Sequence, residues 1–156
     1  MIEKCLICER IALIKIKENP YFIKELETGY VVLSDYQFFY GYTLFLCKEH
    51  KSELHQLNIR KRQKFLKEMS LVAEAVYRAV QPQKMNYELL GNTEQHLHWH
   101  LFPRHANDPR PSRAVWCIDR KIRNAESAKP DRKTIRKLNK AITKELNKLG
   151  VCDSIA

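Results

Sequence analysis

The segment Gln95-His96-Leu97-His98-Trp99-His100-Leu101-Phe102-Pro103 limits the folds open to this chain more than any other. Its three histidines stand two residues apart, with large apolar residues between and after them. Along a strand, successive side chains point to opposite faces. Read as a strand over 96–102, the segment aims His96, His98 and His100 to one side and Leu97, Trp99 and Leu101 to the other. Neighbouring imidazoles would then sit about 6.5–7 Å apart. A helix would scatter them around its axis. The apolar side needs a core to cover it, and the imidazole side must line something polar. Three uses fit such a line: surface histidines without a role, ligands of a metal, or catalysis by neutral imidazole, which is a nucleophile and a proton carrier near neutral pH.

Other strands are legible around it. Tyr21–Leu26 and Tyr30–Ser34 read as a hairpin turning at Thr28-Gly29, and Thr43–Cys47 as a third strand. Asn86–Leu90 pairs naturally with the histidine strand across Gly91-Asn92-Thr93. Phe65, Met69, Val72, Val76 and Val80 recur at helical spacing, so a long helix is predicted from about Arg60 to Val80, ended by Pro82. Ile135, Leu138, Ile142, Leu146 and Leu149 mark a second helix from about Asp131, closed by Gly150. Pro109 and Pro111 make 107–111 a loop. The expected class is α+β, with a roughly five-stranded antiparallel sheet, one long helix and a C-terminal helix.

A chain of 156 residues with 44% hydrophobic content suits one globular core. No apolar run reaches the roughly 20 residues of a membrane helix, and the N-terminus lacks a signal-peptide cleavage pattern, so a cytoplasmic protein without membrane contact is expected. Five cysteines, with Cys47, Cys117 and Cys152 far apart, fit a reducing compartment better than a disulfide framework. The net charge of +10 is uneven: residues 119–149 hold 11 Lys/Arg and 4 Asp/Glu, which is +7, and the remainder is +3. Such a segment attracts polyanions, nucleic acid included, or is a solvated helix face. Arg104, Arg110 and Arg113, after the histidine strand, are further candidates for phosphate contact. His55 and His105 read as surface histidines.

Cys5-Leu6-Ile7-Cys8 has the usual spacing of two thiolates on one zinc. Zinc needs four ligands, and the other two must be histidines or further cysteines. Two free thiols remain the alternative.

The motif His98-Trp99-His100 with its neighbours, His-Leu-His-Trp-His-Leu-Phe over 96–102, resembles the His-φ-His-φ-His-φ-φ signature of the histidine-triad superfamily, φ being apolar. Residues 86–92 through Pro103-Arg104 are similar to the strand pair of its nucleotide hydrolase and transferase branch, which includes dinucleoside polyphosphate hydrolases. Residues 41–50 are similar to an earlier strand, and the likeness runs from about 5 to 116. The resemblance implies the histidine-triad fold over 1–118, with 119–156 a basic helical extension packed on it. It also implies a diadenosine polyphosphate hydrolase-like enzyme acting at the α-phosphate of dinucleoside polyphosphates, phosphoramidates or related nucleotides, by hydrolysis or transfer.

In that reading His98 attacks phosphorus and forms a nucleotidyl-histidine intermediate, which water then releases. His100 contacts the phosphate and helps protonate the leaving group, and His96 supports the site. Asp35 would accept from ribose hydroxyls, while Asn92, Thr93 or Gln95 would meet the phosphates. The loop 91–95 is shorter than in many members and carries the acidic Glu94. The resemblance also names the missing zinc ligands: Cys5 and Cys8 with His50 and His96, a structural site not needed for the chemical step. It further implies a homodimer. Two other classes stay open: a non-catalytic nucleotide- or RNA-binding module using the basic tail, and a metalloenzyme ligating through all three histidines.

Overall fold

Five strands form one antiparallel sheet in the order β1-β2-β3-β5-β4. They are β1 (Phe22–Glu25), β2 (Gly29–Leu33), β3 (Thr43–Cys47), β4 (Lys84–Leu89) and β5 (His98–Arg104). The computed structural model describes residues 5–151, so Cys152 and the end of the extension lie outside the described residues. β5 lies between β3 and β4. His98 pairs with Leu46, and His100 with both Leu44 and Glu88. Partners directly opposite share a face, so Val32, Leu44, Leu46, Glu88, His98, His100 and Phe102 all look to one side.

Strand β5 starts two residues later than expected. The chain at His96-Leu97 instead joins the loop after β3: Leu97 N–H donates to the Lys51 carbonyl, and Cys47 N–H donates to the Leu97 carbonyl. The strand also runs through Pro103. Beyond Leu101 it has no β3 partner, so a residue without an N–H leaves no ladder bond unmade there.

The other face carries the main core. α2 (Ile59–Val80) and α4 (Arg132–Lys148) cover Val31, Leu33, Phe45 and Leu101. α2 begins where the Asn58 side chain accepts from Lys61 N–H and ends at Gln81, which adopts φ 48° before Pro82. α4 begins with Asp131 accepting from Thr134 N–H at 2.7 Å and buries Leu138, Ile142 and Leu146. Inside α2, Glu68 is buried among apolar residues because its carboxylate accepts from Thr28 Oγ1 and from the backbone N–H of Glu27 and Thr28. This fastens the β1–β2 turn to the helix.

The histidine face is only partly covered. α1 (Leu6–Lys15), which the sequence reading left out, lays Ile7, Ile11 and Ile14 on Tyr30, Val32, Leu44 and Leu46. Those isoleucines follow helical spacing, and Cys5 Sγ caps the helix by accepting from Cys8 N–H. At the other end Val115 and Ile118 close over Phe39 and Phe102. α3 (Arg120–Arg123) and a 3₁₀ turn at Glu126–Ala128 then lead to α4. Between these two covers the sheet is open, over His98 and His100. Among the described residues no helix is long and apolar enough to cross a membrane. His105 is not a plain surface histidine: it is half-buried, its Nε2–H donating to the Tyr40 carbonyl at 3.2 Å. His55 is exposed.

Candidate active site and metal-binding cluster

The pleat of β5 brings the rings of His98 and His100 to a centroid separation of 4.6 Å, edge to face. His98 Nδ1–H donates to the His96 carbonyl at 2.6 Å. That bond fixes the tautomer, leaving Nε2 unprotonated. Burial holds the ring below the usual histidine range, so it is neutral at physiological pH. His98 therefore carries a lone pair on one nitrogen and an oriented proton on the other.

His100 is fixed differently. Its Nδ1 lies 2.6 Å from the hydroxyl of Tyr42. Burial pushes the Tyr42 hydroxyl well up, so it keeps its proton. Holding its proton, Tyr42 donates to Nδ1 and leaves the His100 proton on Nε2. Burial, then the neighbouring His98 and the charge of Arg123, push His100 down to about 3. It is a neutral N–H donor.

His96 does something else. The ring is buried, and its Nε2–H donates to the Cys47 carbonyl at 2.9 Å. Its bare Nδ1 stands 3.5 Å from Cys5 Sγ and 3.5 Å from Cys8 Sγ, and His50 Nδ1 stands 3.2 Å from Cys8 Sγ. All four ligand atoms lie within 4.8 Å of one another. Around tetrahedral zinc, with bonds of about 2.3 Å to sulfur and 2.0–2.1 Å to nitrogen, ligand atoms stand roughly 3.3–3.8 Å apart. The donor set and its spacing fit a metal ion, and the carbonyl behind His96 is the outer-shell partner that orients such a ligand. Burial and the neighbouring Cys5 hold the Cys8 thiol up at about 11. The cluster closes on four protein ligands.

The histidines open into a cleft of about 510 Å³ shared by Asp35, Thr93, Glu94, Trp116, Arg120 and Arg123, a size suited to a small ligand. Asp35 is there, but not free: Arg10 of α1 meets both its oxygens, and its Nη1 contact is 2.7 Å. Asn92 and Thr93 line a smaller adjoining hollow of about 230 Å³ with His98 and His100. Gln95 lies on the metal side, beside Cys5 and His50, and does not line the cleft. Glu94 accepts from Leu6 N–H, tying the loop to α1. A larger hollow of about 910 Å³, near Phe38 and Lys129, is lined by neither histidine nor cysteine.

The arginines that follow the strand do not reach the cleft. Arg104 is 3% exposed and spends its guanidinium on Asp108, Asn86 and the carbonyls of Arg110 and Arg113. It organises the 105–114 loop on the β4 side. Arg110 bonds the Cys117 carbonyl. Sequence proximity to the motif is a poor guide here, because β5 carries its end away from the histidines.

Comparisons agree with this architecture. Residues 20–107 match the family model described as the HIT domain. A histidine triad protein from Bradyrhizobium japonicum superposes with TM-score 0.68 at 20% identity, covering 85% of this chain and 94% of that one. A histidine triad protein from Sinorhizobium meliloti gives 0.69 at 21%, covering 80% and 87%. A hypothetical histidine triad nucleotide-binding protein from Sulfolobus tokodaii gives 0.70 at 21%, covering 91% and 93%. No curated protein matches the sequence.

Proposed function

The chain belongs to the HIT-domain family, whose members are in general nucleotide-binding hydrolases or transferases, and from that premise we propose that it hydrolyses nucleotides at the α-phosphorus through an adduct on His98. The observation that carries the reading is the His98 tautomer: its bond to the His96 carbonyl leaves Nε2 as the nucleophile. Nε2 forms a bond to phosphorus while the bond to the leaving group breaks, and the electron pair departs with that group. The Nδ1 proton stays on the ring, where the carbonyl stabilises the positive charge. Water then attacks phosphorus, the N–P bond breaks, and the nucleoside monophosphate leaves with the released proton passing to solvent.

His100 offers Nε2–H to a phosphate oxygen. A neutral imidazole held at about 3 stabilises phosphate charge but has no second proton to give. The reading therefore favours substrates whose leaving group departs as an anion, such as dinucleoside polyphosphates. Asp35 serves the ribose, with Arg10 holding the carboxylate in place. Asn92 and Thr93 approach the phosphate. The Cys5, Cys8, His50 and His96 cluster holds zinc, whose contribution is to cross-link the N-terminus to the strand that carries His98. Residues 119–151 act as an extension of this same unit, and a cytoplasmic homodimer completes the reading.

Phosphorus NMR of diadenosine polyphosphates, adenosine phosphoramidate and nucleotide sugars with the protein tests it. Release of adenosine monophosphate from at least one is expected. A full panel left intact means a binding module instead.

A further inference from the structure

The basic segment that follows the triad strand is not uniformly remote from the chemistry. α4 lies behind the sheet, but α3 and the residues before it fold over the cleft. Trp116 stands with its ring centroid 6.1 Å from that of His100 and 5.8 Å from that of Phe102, both edge to face. Its indole N–H donates to Glu88 at 2.5 Å. The Glu88 carboxylate is on the histidine face of β4, so Trp116 is anchored to the same surface as the nucleophile. Across the indole lies Arg123, with its guanidinium carbon 4.6 Å from the ring centroid. Arg123 Nε donates to the Ile118 carbonyl at 2.9 Å.

That leaves both Nη groups of Arg123 without a hydrogen-bond partner among the described residues. A guanidinium stacked on one side and held at Nε is pre-organised, with its outer edge free to grip an anion by two parallel bonds. Arg120 lines the same cleft, and its guanidinium has no hydrogen-bond partner among the described residues. Arg10, the third arginine there, is committed to Asp35. Burial lowers Arg123 from its ordinary range, against the charges of Asp119 and Glu88 that hold it up. Its charge reaches His100 and helps keep that ring neutral. The stacked guanidinium and His98 thus line one continuous cleft.

We propose that Trp116, Arg120 and Arg123 form the subsite for the departing phosphate chain, making the C-terminal segment the specificity-determining part for polyphosphate over amine leaving groups. Calling that chain a leaving group rests on the nucleotidyl-transfer reading. The anion subsite itself does not. Arg123 receives the phosphate charge that appears when the P–O bond breaks, where His100 can offer a hydrogen bond but no proton. The three residues lie outside the 20–107 span matched by the family model.

The test separates the two ideas. Wild type, Arg123→Ala and Arg123→Gln are titrated calorimetrically with inorganic tripolyphosphate and, separately, with adenosine monophosphate, after equal melting temperatures confirm the fold. Tripolyphosphate affinity is expected to fall by about tenfold or more in both variants, with most of the loss kept at high salt because the stacked guanidinium is shielded from counterions. Adenosine monophosphate affinity should stay within about twofold. Equal loss of both ligands, or loss of neither, overturns the subsite. Turnover of diadenosine tetraphosphate and adenosine phosphoramidate by wild type is read in parallel. If both substrates survive intact, the catalytic reading fails while the tripolyphosphate result still decides the role of Arg123.

Discussion

His98 Nδ1 and the carbonyl oxygen of His96 are 2.6 Å apart. One residue of the motif thus sets the protonation of the other through its backbone, while its own side chain faces the cysteines. In the proposed reading the motif's three histidines divide into a nucleophile, a hydrogen-bond donor to phosphate and a metal ligand, which would account for all three.

Replacing His98 by Ala removes the nucleophile without touching that backbone bond acceptor. Turnover should fall by at least about three powers of ten while the melting temperature changes little. Rapid quenching of wild type, followed by intact mass, should reveal a nucleotidyl adduct that the variant lacks. Wild-type rates in His98→Ala would falsify covalent catalysis.

Protein purified without chelators should contain close to one zinc per chain. Cys8→Ser should lower both metal content and melting temperature, since the cluster joins the start of α1 to the segment before β5. His98 should still react in the metal-depleted protein if the fold survives. A metal-free preparation with an unchanged melting temperature on added zinc counts against the site.

Asp35→Asn should raise KM for a ribonucleotide by about tenfold and leave a 2′,3′-dideoxy analogue almost unaffected, because a carboxylate accepts from two adjacent hydroxyls and an amide accepts with one oxygen only. Arg10→Ala should reproduce part of this by freeing the carboxylate from its second support. If both analogues lose affinity equally, the carboxylate is structural.

Which of these sites could be read in the sequence follows from the range of the interactions. His98 and His100 share a face because a strand has period two, and that is local. Ile142 and Leu146 announce α4 by helical spacing, and Cys5 and Cys8 announce a ligand pair by theirs. Tyr42, Trp116 and Arg123 carry no such signal. Tyr42, just before β3, meets His100 from 58 residues away, and Trp116 meets Glu88 across 28. Arg10 and Asp35 are joined only because α1 lies on β2 and β3. Arg104 shows the converse: a cation next to the motif looks suited to phosphate until its burial shows all three guanidinium nitrogens already engaged.

Acid should loosen this site from within. The unfolded chain takes a proton on His100 near its ordinary 6.5, whereas the folded protein resists until about 3. Between those values the unfolded state binds more protons, so the stability contributed by this group is present above 6.5 and lost as pH falls towards 3. One such group is worth at most about 1.4 kcal/mol per pH unit. Melting temperatures at about pH 7 and pH 4.5 should therefore fall further for wild type than for His100→Asn, by a few degrees. Parallel acid slopes would show that the ring is hydrated in solution.

The charges of α4 should act on encounter and not on chemistry. Lys133, Arg136, Lys137, Lys140 and Lys144 are exposed, while Leu138, Ile142 and Leu146 dock the helix on the sheet face opposite the histidines. From there no α4 side chain meets the reacting phosphate, so selective transition-state stabilisation is out of reach. What remains is a long-range field that concentrates polyanions near the protein and is screened over about 8–10 Å at ordinary salt. Reversing Arg136 and Lys137 to Glu should lower kcat/KM several-fold at low ionic strength, converge with wild type at high salt and leave kcat unchanged. Arg123→Ala, drawn from the same basic segment, should behave oppositely, keeping most of its defect at high salt because a stacked, half-buried guanidinium is shielded from counterions. If the α4 variant instead loses kcat at every salt concentration with its fold intact, α4 communicates with the cleft, and the division of the basic segment into a contacting part and a steering part is wrong.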